Sequence, residues 1–437
     1  MIPTSIVVCG GGNGSHATVA SAGRFENIQV NVFTRKPQDW KQEIVGLTKG
    51  SPWESLGNFV GKINKVSNNP QDFPGAKLWI IGGPAHVHHE ILQKIAPFVT
   101  KDSFVGTLYA QGGFEWMCRS VFGDRIRTDN ITYFGLYNIP WLCKIFKYGE
   151  SVRIIGPKTK LQCALSDLSR KEELFLLLEK MFQIPVLQAP NFLTLTLTPS
   201  NQIIHPARVY AVFRNWDGKQ VYQPSQVPTF YEDFDDFSAY MLQILDDEIQ
   251  AIKREILKRY PHFNLDLIIP IKERIIQQYG DQVKDKTNLK TVFRTNAGYA
   301  TIQIPTKPVQ GGVQLNTEAR IFWEDIPYGL CILKDLSEML GLQTPGTDKM
   351  IEWHQKFMNK EYVQNSKIKQ KSIKRNRSPL QIWIGYIRKS IRYLGGFLIK
   401  TQIVKFISSL LINTNIIILF WKINFLFSQF IFIRWKQ

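Results

Sequence analysis

Along the first 190 or so residues, short apolar runs rich in β-branched side chains alternate with stretches whose apolar positions recur at helical spacing. The runs SIVVC (5–9), IQVNVF (28–33), KLWII (77–81), SFVGTLY (103–109), ITYFGLY (131–137) and VRIIG (152–156) are predicted strands. HEILQKIAPFV (89–99) and RKEELFLLLEKMF (170–182) are predicted helices. Such alternation implies an α/β domain with a mostly parallel sheet and helices on its faces. After PVLQAPNF (185–192) the pattern changes. From 237 to 258 one amphipathic stretch sets Leu242, Leu245, Ile249, Ile252 and Ile256 along a single stripe. Further helical segments follow at 270–279, 329–340 and 347–359. The expected organisation is a first α/β domain over 1–190, a mainly α-helical domain over 191–363 and a tail over 364–437.

Charge sharpens the third boundary. The 437 residues carry a net charge of +18, but residues 366–437 hold 14 Lys and Arg with no acid, leaving 40 basic against 36 acidic residues in the body. That balance gives no basic stripe for nucleic acid, so no nucleic-acid partner is expected. The longest uncharged window of the tail, between Lys405 and Lys422, is 16 residues, short of the roughly 20 a spanning helix needs. A membrane span, a basic surface anchor and translated sequence past the gene's end all fit it, and any membrane contact would run through this tail. The five cysteines (Cys9, Cys118, Cys143, Cys163, Cys331) lie far apart without a CxxC pair, and no charged-then-apolar leader opens the chain. A reduced, cytoplasmic setting is expected, with Cys9 a small buried thiol.

The first strand runs into a glycine cluster, VCGGGNGSH. Gly10, Gly12 and Ser15 fall on the G-x-G-x-x-G frame that joins a strand to a helix in a dinucleotide-binding unit. The first glycine allows the tight turn, the second lets backbone N–H groups approach a pyrophosphate, and the third position asks for a small residue. Asn13 and Gly14 open the helix, whose N-terminus favours phosphate. The first domain is therefore expected to be of Rossmann type and to bind NAD(H). The second strand ends in Thr34, Arg35 and Lys36 rather than an acid; Arg35 suits a 2′-phosphate as well as a solvated loop, so NADP(H) is admitted too. Gly82, Gly83, Pro84 and Ala85, at the end of the third predicted strand, offer a flat surface beside the cofactor. His86, His88, His89 and Glu90 follow. A helix start would point their side chains in different directions, so they are expected to be solvent-contacting residues and no metal site is expected.

In SNQIIHPARV, His205 stands where the second domain begins; ARIFWEDIPYGL supplies Arg320, Glu324 and Asp325. A carboxylate that orients one imidazole nitrogen is what a histidine acid/base requires. At these residues the chain resembles the opine dehydrogenase family, closely in its octopine dehydrogenase-like branch. The shared strings, in order, are VCGGGNGSH, QGGFEWMCRSVFGD, IPWLCKI, IHPA followed by NWDGK, GGV, EDIPYGL and DKMIEWHQKFMNKEY, over residues 1 to about 365. The resemblance implies reductive condensation of an amino acid with a 2-oxo acid, typically pyruvate, the imine being reduced from a nicotinamide. It implies His205 as proton donor and acceptor, Asp325 as its partner, Arg320 for a substrate carboxylate and Gln111 near the keto acid. Asn138 stands where relatives often carry a hydroxyl residue, and PIKERIIQQYGD (270–281) is charged where octopine-type relatives are more aromatic. The expected partners are these two small substrates, in a monomer or homodimer. A 2-hydroxy-acid or ketopantoate-type reductase of similar build, and a non-catalytic nicotinamide-binding regulator, are the alternatives.

Overall fold

The computed structural model describes residues 5–369, and its strands gather the predicted apolar runs into one large sheet. In chain order they are β1 (Ser5–Cys9), β2 (Gln29–Phe33), β3 (Glu43–Leu47), β4 (Phe59–Lys62), β5 (Lys65–Ser67), β6 (Leu78–Ile81), β7 (Phe104–Thr107) and β8 (Thr132–Leu136). β9 (Trp141–Lys147), β10 (Ser151–Pro157), β11 (Leu161–Leu165) and β12 (Val186–Gln188) follow. Among the described residues, eight strands pair in the order β12-β11-β8-β7-β6-β1-β2-β5. From β5 to β8 every neighbour is parallel, the strand order of a doubly wound dinucleotide fold; β11 then runs antiparallel to β8. The fold is α/β, with an N-terminal Rossmann-like sheet and a helical part after it.

VRIIG does not join that sheet. β10 belongs to a four-stranded sheet, β4-β3-β10-β9, because its apolar residues alternate: Val152 and Ile154 are buried while Arg153 and Ile155 face outward. LWII of β6, by contrast, is buried at every position, as a strand covered on both faces must be. Helix α1 (Asn13–Ala22) lies between the two sheets and is buried from Ser15 to Ala22, which accounts for its run of small residues. A Cβ on Gly61 of β4 would stand 2.5 Å from the Val19 carbonyl. Sheet-to-helix contact is that close.

Helices α2 (Ala85–Ile95), α3 (Phe114–Phe122), α4 (Arg125–Thr128) and α5 (Lys171–Phe182) complete the first half. Beyond β12 come α6 (Phe192–Thr196), α7 (Asn201–Phe213), α8 (Asp236–Arg259), α9 (Ile271–Tyr279) and α10 (Leu289–Arg294). The stripe predicted for α8 is buried at all five positions, and Asp235 caps its start by accepting the Ser238 N–H. The segment predicted as helix from 329 begins earlier: Ile321–Leu330 is a π-helix that continues into α11 (Cys331–Leu340), followed by α12 (Pro345–Gln355). Residues 363–368 form a small hairpin whose Ile368 N–H donates to Glu338 of α11 at 3.0 Å. The expectations for the rest of the tail lie outside the described residues. Among the described residues no helix is long and apolar enough to cross a membrane.

Of the four buried histidines, three are shifted furthest toward the neutral form. His16 of α1 donates from Nδ1 to Gly12 O at 3.0 Å and accepts the Gly149 N–H on Nε2 at 2.8 Å. His88 donates to Gly83 O at 2.9 Å and His354 to Met350 O at 2.8 Å. Burial pushes each imidazole from 6.5 down to about 4. The unfolded chain thus takes protons near pH 6.5 that the folded chain refuses until about 4, and stability present above pH 6.5 is lost as pH falls through that window. Each histidine accounts for on the order of 2–3 kcal/mol of that loss. The urea midpoint is expected to drop steeply between pH 6.5 and 4.5; a flat midpoint there would contradict the neutral buried state.

Candidate active site

The glycine loop sits where the sheet order reverses, between β1 and β6, the place at which open α/β sheets bind ligands. Gly10 takes φ +122°, closed to most side chains, and its N–H donates to Phe33 O at 2.8 Å. Ser15 is fully buried against Gly10 and Gly82, so the third position of the frame must be small. Gly12 is exposed and caps α1, with only Gly82 O as close as 4.0 Å to where a Cβ would stand. No side chain caps the helix and no acid lies in its first turn. Its first N–H groups are therefore left without a side-chain cap, which suits a pyrophosphate. Gly14 packs on Leu108. Asn13 accepts the Ile145 N–H at 3.0 Å and so ties the loop to β9. Arg35 and Lys36 project into solvent past the end of β2.

His88 and His89 are buried, not solvent-contacting as the sequence suggested. α2 starts at Ala85 and packs on α3, which sets the His88 ring edge-on to Phe114 at 5.3 Å and its Nε2 under the Gly83 carbonyl. His88 is thus a peg for the Gly82–Pro84 turn. Among the described residues no group of three or more His, Cys, Asp or Glu could hold a metal ion. Cys9 is buried, and burial pushes its thiol well above the ordinary range.

His205 lies in α7 and Asp325 in the π-helix, 120 positions apart in sequence. They meet with His205 Nδ1 and Asp325 Oδ2 at 2.8 Å. Asp325 is 5% exposed and His205 21%, so the carboxylate is sealed and the imidazole is open on one side. Burial pushes the Asp325 carboxyl up while the adjacent imidazole pulls it down. With Asp325 accepting from Nδ1–H, Nε2 is left to exchange protons. The hydroxyl of Tyr231 stands 3.4 Å from it, and Phe230 packs edge-on to the ring. The carboxylate's position depends on the π-helix, in which Cys331 N–H reaches back five residues to Ile326 O. Such segments recur at functional sites.

A cavity of about 340 Å³ opens over this pair, lined by Asn201, His205, Tyr231, Arg320, Glu324 and Asp325 among others. Arg320 donates from Nε to Glu324 Oε2 at 2.8 Å. The other Glu324 oxygen accepts the Ala85 N–H at 3.0 Å. One carboxylate therefore links the cavity arginine to the first turn of α2, beside the Pro84 cap. The structure gathers His205, Asp325 and Arg320 in one cavity. It leaves Gln111 and Asn138 outside the lining: Gln111 is buried with Nε2 on Thr198 O at 2.7 Å, and Asn138 is half-buried. Glu324 as a clamp and Tyr231 as a neighbour of Nε2 had no motif to announce them; EDIPYGL contains the first, and nothing in PTFYEDF marks the second.

Residues 188–358 match the family model described as "NAD/NADP octopine/nopaline dehydrogenase, alpha-helical domain". Tauropine dehydrogenase of Arabella iricolor is 28% identical over 387 residues, covering 86% of this chain and 96% of that protein. Octopine dehydrogenase of Mizuhopecten yessoensis is 28% identical over 384 residues, covering 86% and 95%. The chain is similar to opine dehydrogenases along most of its length, and residues 188–358 carry that family's helical domain. A solved octopine dehydrogenase in complex with NADH and agmatine superposes with a TM-score of 0.75 at 26% identity, over 86% of this chain and 95% of that one. A ketopantoate reductase from Ralstonia eutropha, at 14% identity and a TM-score of 0.53 over 81% and 98%, shares the fold alone. The dyad and the arginine clamp lie in the helical half, and Glu324 ties them to the first turn of α2.

Proposed function

We propose that this chain is an NAD(P)H-dependent opine dehydrogenase. It joins the amino group of an amino acid to the carbonyl carbon of a 2-oxo acid, pyruvate first among candidates, and reduces the resulting imine, reversibly. The observation that carries this is the His205–Asp325 pair, open through Nε2 to a cavity that also holds Arg320. Similarity to opine dehydrogenases adds weight, as do similar proteins solved with NADH and L-arginine and with NADH and pyruvate.

The glycine loop fits a nicotinamide dinucleotide. Its uncapped helix start would take the pyrophosphate, Gly12 leaves room for it, and Arg35, exposed past the end of β2, would be free to pair with a 2′-phosphate. When bound, the dinucleotide supplies or accepts a hydride. The protein's own residues manage the protons. Nε2 of His205 takes a proton from the ammonium of the amino acid so that its nitrogen can attack the carbonyl, then gives protons as water leaves. Asp325 holds the imidazole in the tautomer that allows this and stabilises its charged form. Arg320 offers a planar fork to a carboxylate, in exchange for or alongside Glu324. Tyr231 keeps the imidazole's open side dry and bounded. The compartment proposed is the cytoplasm, on the reduced, scattered cysteines.

The test follows NADH and NADPH absorbance with pyruvate while amino acids, taurine and β-alanine are added one at a time. Oxidation that needs both substrates is expected and names the amino partner. Oxidation with the keto acid alone would move the chain to the hydroxy-acid reductases, and binding without turnover to the regulators.

A further inference from the structure

A product of this proposed reaction carries two anionic groups, one from each substrate, yet the His205 cavity offers no uncancelled cation for both. Its lining arginine, Arg320, is paired with Glu324, and His205 with Asp325. One buried cation nearby has spare donors. Arg274 of α9 is 3% exposed; its NH2 nitrogen donates to Pro199 O at 2.6 Å, while Nε and NH1 are buried without a partner. Burying a guanidinium with two idle donors is costly unless something fills them.

The surroundings of Arg274 point the same way. Gln111 holds the preceding carbonyl, Thr198 O, and its own Oε1 is buried without a partner. Gln202, in the first turn of α7, also has a buried, unpartnered Oε1. Both glutamines lie beside one stretch of the π-helix: Gly112, next to Gln111, packs on the Tyr328 carbonyl, and Gly329 packs on Gln202. Asp246 is the acid within electrostatic reach of Arg274, but its Oδ2 accepts the Ile271 N–H and burial pushes its carboxyl up. Idle donors on a cation and idle amide oxygens on side chains that hold or belong to the 198–202 stretch are what a zwitterion needs. The carbonyls that Arg274 and Gln111 hold lie two and three residues before Asn201, which lines the cavity one helical turn, about 6 Å, before His205.

We propose that Arg274 is the anchor for the carboxylate, or sulfonate, of the amino co-substrate, with the Gln111 and Gln202 side-chain oxygens receiving its amino group. This rests on the opine-forming reading, and it divides the two anions between Arg320 and Arg274. The co-substrate's acid group then lies toward the α9 side, and its nitrogen toward Nε2 of His205.

The test is calorimetric titration of the full chain, with and without NADH, using iminodiacetate, the simplest amine bearing two carboxylates, against acetate. Iminodiacetate should bind at least tenfold more tightly than acetate. Arg274→Gln should remove most of that advantage while leaving acetate and NADH affinities within about twofold, and Arg274→Lys, which keeps the charge but loses the fork, should fall between. Equal affinity of the wild type for the two acids overturns the proposal, whatever the variants do. So does an Arg274→Gln protein that melts normally and binds iminodiacetate like the wild type. Because binding is read without turnover, an Arg274-dependent advantage in a chain that condenses no amino acid would keep the subsite and discard the reaction.

Discussion

His205→Ala is expected to lower kcat by roughly 10²- to 10⁴-fold, the usual worth of a positioned proton donor and acceptor, with NADH affinity changed by less than about twofold. The split follows from geometry. His205 belongs to α7 and the cavity over the π-helix, whereas the glycine loop that would hold the dinucleotide belongs to β1 and α1. Removing the imidazole also strips Asp325 of its hydrogen-bond donor while leaving it buried, so the melting temperature should fall as well. Asp325→Asn separates the two effects. It keeps the size and an acceptor but not the charge that stabilises a protonated imidazole, so kcat should fall steeply with a small change in melting. If His205→Ala turned over at near wild-type rates, the proton would have to travel another way and the dyad would be structural.

The sheet was legible because burial on both faces writes itself as continuous apolar runs. SIVVC and LWII could hardly be anything else. What the runs concealed was the second sheet. Its strands are wet on one side, and FVGK of β4 has one buried residue, Gly61, so hydropathy cannot separate that strand from loop. α1 was readable as a helix but not as one packed between sheets. Its hydrophobic and polar positions carry no face because it has no wet face to show. The π-helix was equally hidden: the sequence pattern predicts a helix only from 329, and nothing in ARIFWEDIP marks the wider turn that the backbone displays.

For the site, motif spacing picked out the glycine loop, and the family resemblance named His205, Asp325 and Arg320, which the fold then brings into one cavity. Sequence spacing alone could not have joined positions 120 residues apart. The histidines of AHVHHE show the opposite case. Three close imidazoles invite a chemical or a surface reading, yet His88 is buried because Gly83 O needs a donor where the chain turns back toward the sheet.

Arg208 is the residue whose loss should cost the fold most. In IHPARV it stands one turn beyond His205 and reads as a surface cation, yet its relative exposure is 0%. Its Nε donates to Phe230 O at 2.9 Å, NH1 to Ser238 Oγ at 2.9 Å, and NH2 to Thr229 O at 2.8 Å and Asp233 O at 3.0 Å. The guanidinium thus fixes the turn 229–233, from which Phe230 and Tyr231 reach the His205 ring. Arg208→Met fills the volume but leaves three carbonyls and a hydroxyl without that donor, so a loss of roughly 3–5 kcal/mol is expected in urea unfolding. Lysine carries the charge but cannot reach four acceptors set around a planar fork, so Arg208→Lys should recover less than half of it. At substrate saturation the folded Arg208→Lys protein should also lose kcat, because Tyr231 no longer bounds Nε2 at a fixed distance. A variant that lost stability but kept full kcat would show that the turn holds the helix α8 in place without shaping the imidazole's open side.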